Sequence, residues 1–250
     1  MKKQYDLIVS LGAACPCTTA LRAQHLQDFS YPFDWLFGGT LVGRTEILVH
    51  DFKNWFNKED LIFSHEVPNV NGMAYLNKKT EIVYNHDFKK GKSFEEQYPI
   101  IEAKYSRRID RLIEKAETAE NILFVFIERP DYKTQMSDKE LLQVERLLHK
   151  RFGNKVDLLY LFCNDVPFKN REDVWISPHV RKVIFDYQLH KKNEYSVNKR
   201  KLKAVLKNYG LKRPLLKQLQ IRIKSFLIHF ACLFIWSKKW RKDFKRKWKE

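Results

Sequence analysis

ILFVFIE (residues 122–128), DLLYLFC (157–163) and VRKVIFDY (180–187) are apolar runs of strand length without polar alternation. A strand that faces water on one side alternates, whereas one covered on both faces does not. The three runs therefore predict neighbouring strands of a parallel or mostly parallel sheet with helices on both faces, a three-layer, Rossmann-like α/β architecture. Residues 138–151, between the first two runs, and 95–118, ahead of them, have the pattern of helices. LIVSL (7–11) adds a buried strand near the N-terminus. Residues 41–56 predict a further helix, and 62–67, 73–76 and 81–85 predict short strands.

In open α/β sheets the ligand crevice lies beyond the carboxyl ends of the strands. Cys15, Glu128-Arg129, Cys163-Asn164-Asp165 and Asp186 all follow predicted strand ends. The first is the most informative, in the stretch DLIVSLGAACPCTTALRAQHLQDFSYPFDW (6–35). Gly12 supplies the permissive backbone of a sharp strand-to-helix turn, which sets Cys15 at the start of a helix. Free amide donors and the helix dipole stabilise an anion there, so the sequence predicts a thiol titrating below its free value of about 8.5. The plainer alternative is a small packed cysteine. Cys17 is too close to Cys15 for a relaxed disulfide, with Pro16 stiffening the turn, and reads as packing, as do Cys163 and Cys232 in their apolar runs. Four scattered cysteines without a CxxC argue against a disulfide framework and against structural zinc; no metal and no cofactor is predicted.

Ser10-Leu11-Gly12 followed by Cys15, then Leu21-Arg22, Tyr31-Pro32-Phe33-Asp34-Trp35, His86-Asp87 and Tyr105-Ser106-Arg107-Arg108 resemble the signature of a bacterial family described as papain-like cysteine peptidases. The resemblance spans roughly residues 5–130. It implies Cys15 as nucleophile and His86 as base, in the Cys-before-His order of such enzymes. It also implies a papain-like α+β fold with an antiparallel sheet, the alternative to the parallel architecture. Neighbours on a strand point to opposite faces, which makes Asp87 an awkward orienter for His86. Asp34 is the better candidate, with Asp186 behind it. Ser10 and Gly12 of the turn and Arg108 of the Arg107-Arg108-Ile109-Asp110-Arg111 cluster are the candidate substrate-binding residues, the guanidinium being suited to an anionic group. The substrate class stays open among peptide, acyl and glycan. GxSxG, a phosphate-binding glycine loop, HExxH and DxD are absent, and Asp186 and His190 are spaced DxxxH where a serine esterase usually has DxxH.

Charge divides the 250-residue chain. Residues 199–250 hold 18 of the 47 Lys and Arg but 2 of the 30 Asp and Glu, a net +16, which leaves +1 of the total +17 for residues 1–198. A catalytic domain over 1–198 and a basic helical tail over 199–250 follow. LLKQLQIRIKSFLIHFACLFIW (215–236) mixes an apolar stripe with cations, and SKKWRKDFKRKWKE (237–250) interleaves tryptophans with Lys and Arg. That composition suits an amphipathic helix lying in an anionic membrane surface. The alternatives are a helix docked on the body or a nucleic-acid contact, and no motif supports the latter. No signal peptide and no apolar stretch of spanning length is present, so a cytoplasmic protein, peripheral on the inner membrane, is expected. Tails of this appearance also resemble those of bacterial surface-polysaccharide enzymes. The competing function is thus a polysaccharide-biosynthesis factor or transferase whose SLGAAC turn binds a ligand without a thiol nucleophile.

Overall fold

The computed structural model describes residues 2–128, 135–164, 172–186, 188–189, 195–196, 199–235, 237 and 240–241, of which 163, 164, 185, 186, 188, 189, 195, 196, 199, 222, 225, 229 and 233 are described by backbone alone. Arg129, Asp165, His190, Trp236 and Trp248, singled out in the sequence, lie outside the described residues. The chain divides into two compact units, Met1–Leu211 and Lys212–Glu250. The first opens with β1 (Lys3–Tyr5), β2 (Leu7–Gly12), α1 (Cys15–Ala23), β3 (Phe37–Gly38) and α2 (Leu41–Val49). Next come β4 (Leu61–Val67), β5 (Gly72–Asn77), β6 (Ile82–Lys89), α3 (Phe94–Thr118), β7 (Ile122–Ile127) and α4 (Asp138–Phe152). It ends with β8 (Val156–Asn164), β9 (Glu172–Trp175), β10 (Val180–Asp186), β11 (Gln188–Leu189), β12 (Tyr195–Ser196), α5 (Lys199–Leu206) and β13 (Tyr209–Leu211). The second unit contains α6 (Leu215–Leu233).

The apolar runs pair as neighbours. β2, β7, β8 and β10 are parallel in that order, and β9 closes the far edge antiparallel. Alternate residues enter two separate cores. Leu7, Val9, Phe124, Phe126, Leu158 and Tyr160 pack with residues of α2, α3, α4 and the second sheet. Ile8, Leu123, Val125, Leu159 and Val183 pack with Cys17 and Leu21 of α1 and Leu202 and Leu206 of α5. Burial of both faces is why these strands carry no polar alternation. The helix starts are equally local in origin. Ser93 with Glu96 opens α3 and Ser137 with Glu140 opens α4, each as a reciprocal capping box.

The fold is mixed α/β, and the expectation of one mostly parallel sheet holds in part, because a second sheet accompanies it. The strands predicted at 62–67, 73–76 and 81–85 form, together with β3, a second sheet of order β3-β6-β5-β4, antiparallel throughout. An antiparallel sheet is what the alternative α+β reading called for. The helix predicted over 41–56 stops at Val49, because Asp51, Phe52 and Asn54 take left-handed φ of 54°, 59° and 55°. Those turns swing Phe52, Trp55 and Phe56 inward, where Trp55 meets the Tyr105 ring edge-on at 5.3 Å. The charge boundary near residue 198 and the packing boundary at Leu211 are distinct, since α5 contributes to the core and β13 pairs with β1.

Candidate active site

Cys15 is delivered by an irregular strand end. The β2–β7 ladder runs in register through Ser10 and Val125, then slips so that Gly12 faces Phe126, leaving Leu11 as the extra residue. Gly12 has φ +118°, a conformation that side chains rarely adopt. It also faces the Arg44 guanidinium, whose Nη1 lies 2.3 Å from where a Cβ would stand. Ala14 is the extended N-cap, Cys15 the first residue of α1, and Pro16 fixes the helical φ behind it. Cys17, Thr18 and Leu21 turn to the sheet and are buried, while Cys15 stays partly exposed.

His86 reaches the thiol from the other sheet. The β5–β6 pairing matches Met73 with Phe88 and then Tyr75 with Tyr84, so Asn85, His86 and Asp87 all lie opposite Ala74 alone. This bulge interrupts the pleat between two buried aromatic residues and presents the imidazole outward. Cys15 Sγ lies 3.6 Å from His86 Nε2, and the Phe37 ring packs against the imidazole at 6.1 Å. Burial pushes the Cys15 thiol above its ordinary value, offset by its own amide and raised further by the charge of Asp34. That corrects the expectation of a thiol depressed by the helix start: loss of hydration outweighs the hydrogen bond of the Cys15 amide. Burial, helped by Lys89, lowers the His86 pKa.

Asp34 is not placed as the orienter of His86. It is fully buried; Oδ1 accepts from Thr18 Oγ1 at 2.7 Å, and Oδ2 accepts from Gln27 Nε2 at 2.6 Å and from the Tyr31 amide at 3.0 Å. The carboxylate is saturated by donors that tie α1 to the PFDW turn. Asp87 is likewise engaged, accepting from Tyr105 Oη at 2.7 Å and from Lys104 Nζ. Among the described residues no hydrogen bond reaches the second ring nitrogen of His86, which leaves a Cys-His dyad. Ser10 is also displaced from its expected role, being fully buried on the α1 side of the sheet beside Cys17, out of reach of a substrate. Burial pushes the Cys17 thiol up to about 12, and its Sγ lies 3.4 Å from the Val125 carbonyl, so it is an inert packed group. Arg108 rests its guanidinium 5.6 Å from the Tyr105 ring and, with Arg22, acts electrostatically on Asp34.

The residue missed in the sequence is Arg44. Fully buried on α2, it donates to the carbonyls of Leu11 at 2.8 Å, Leu36 at 3.1 Å and Gly38 at 2.6 and 3.1 Å. It thereby binds the end of β2 to β3, the strand paired with β6. A lone cation in the apolar LVGRTEILV was its only signal.

The position of Asp34 makes a test. Asp34→Asn keeps one acceptor oxygen but, whichever way the amide is turned, sets its NH2 against one or two of the three existing donors, and a loss of about 1–3 kcal/mol in chemical denaturation is expected. The titration of the His86 ring, followed by NMR, should stay in place, as it would not if Asp34 oriented His86.

A family model described as "Putative papain-like cysteine peptidase" matches residues 6–162, a span that runs from β2 into β8 and includes Cys15, Asp34, His86 and Arg108. No curated protein and no solved structure matches the chain.

Proposed function

The chain belongs to the family of putative papain-like cysteine peptidases, and from that premise we propose that it hydrolyses amide bonds through a thioester on Cys15, with His86 as base. The observation that carries this reading is the 3.6 Å separation of Cys15 Sγ and His86 Nε2, contributed by the start of α1 and by the bulge of β6 and 71 positions apart. Both groups rest uncharged: burial holds the thiol protonated, and the lowered imidazole pKa keeps the ring neutral at pH 7. His86 Nε2 takes the thiol proton as Sγ adds to the substrate carbonyl. Developing negative charge on the oxygen falls near the first turn of α1, where the Cys15 amide already favours an anion. The imidazolium then protonates the departing amine as the C–N bond breaks. Water, deprotonated by the same nitrogen, cleaves the thioester and restores the thiol.

A neutral dyad has a distinct pH signature. Because burial lowers the His86 pKa, the ring becomes a free base at lower pH than an ordinary histidine, so the acid limb of hydrolysis should inflect below 6.5. Because burial raises the thiol, the iodoacetamide alkylation rate of Cys15 should inflect above the ordinary thiol range. Alkylation followed by peptide mass spectrometry across pH reads the second limb. An inflection near pH 4, or labelling of Cys15 no different from that of Cys232, would overturn the neutral-dyad reading.

A further inference from the structure

We infer that α6 lies in the plane of an anionic lipid surface, with its exposed apolar face buried among the acyl chains. The inference is independent of the dyad and rests on the second unit alone. At about 100° per residue, Leu215, Leu216, Leu219, Ile223, Phe226, Leu227, Phe230 and Phe234 fall within an arc of about 120°. All of them are exposed: Leu216 over 77% of its surface, Phe226 over 67% and Phe234 over 70%. Phe226, Phe230 and Phe234 form a continuous aromatic ridge, with centroids 6.1 and 5.2 Å apart. The opposite side of the helix carries the buried Ile228 and Cys232, so the exposed ridge is a second apolar face that the helix does not need for its own packing. Unpartnered apolar surface of this extent marks an interaction site.

Charge selects the occupant. Residues 212–250 contain 13 Lys and Arg against Asp243 and Glu250, a net +11. Lys224 and Lys217 flank the apolar arc on one side, about 60° and 80° beyond its edge and ahead of the buried Ile228. A second copy of the chain would bring like charges together, whereas a sheet of anionic headgroups over hydrocarbon matches both the ridge and its cationic flank. Among the described residues no helix is long and apolar enough to cross a membrane, which fits a helix lying flat.

The test is flotation of the full chain with vesicles of phosphatidylcholine alone and of phosphatidylcholine mixed with phosphatidylglycerol. The natural chain should float with the anionic vesicles, and Phe226→Asp/Phe230→Asp should reduce the bound fraction about tenfold or more. Should the charged pair lower the helix content by circular dichroism, Phe226→Ser/Phe230→Ser carries the same test. Three outcomes would overturn the inference. The chain ignores anionic vesicles; or the double variant binds like the natural chain, as a generic polycation that also takes up nucleic acid would; or sedimentation shows a lipid-independent dimer that the double variant dissolves.

Discussion

Cys15→Ala is expected to keep its thermal unfolding midpoint within a few degrees while losing all measurable hydrolysis of a fluorescence-quenched peptide library. The thiol is small and partly exposed, so deleting its sulfur leaves little cavity, yet no other described thiol stands beside an imidazole. His86→Ala should retain the nucleophile and lose between about a hundredfold and ten-thousandfold at neutral pH, the contribution of one positioned base. It should also lose the acid limb of the rate profile. A peptidyl acyloxymethyl ketone, traced by intact mass, gives a second readout: one adduct on the natural chain and none on Cys15→Ala. Hydrolysis surviving in Cys15→Ala would remove the thiol from the chemistry.

The second large effect concerns folding. Arg44→Met keeps much of the side-chain volume and deletes four hydrogen bonds to the carbonyls of Leu11, Leu36 and Gly38. The buried carbonyls of Leu11 and Leu36 and the partly buried one of Gly38 then lose these donors, at about 1–3 kcal/mol for each buried acceptor. A stability loss of at least about 4 kcal/mol by urea denaturation is expected, in the range of the most damaging single substitutions. Gly12→Ala attacks the same joint from the other side, placing a methyl 2.3 Å from Nη1 at φ +118°. If both variants stay within about 1 kcal/mol of the natural protein, the guanidinium is not what fastens β2 to β3.

How much of this was legible in the sequence depends on how local each cause is. The runs at 122–128, 157–163 and 180–187 announced themselves because burial on both faces removes alternation. Ser93-Glu96 and Ser137-Glu140 fix helix starts within four residues. The three short strands were legible as elements, but nothing in their alternation says with which strands they pair, and the antiparallel sheet was therefore missed as a separate layer. The roles of single residues failed for the same reason. Asp34 reads as a free carboxylate until Thr18, Gln27 and Tyr31 close around it. The helix start at Cys15 is visible, whereas the burial that reverses its titration comes from the surrounding fold.

The bulge in β6 separates two jobs that a regular strand would merge. Met73 with Phe88 and Tyr75 with Tyr84 anchor the ladder on either side, so Asn85, His86 and Asp87 are slack paid out between two fixed points. The reach of the imidazole toward the sulfur is set by the length of that slack rather than by the pitch of the sheet. Chains carrying one residue more or fewer at this point could thus keep an unaltered scaffold and own a longer or shorter catalytic arm.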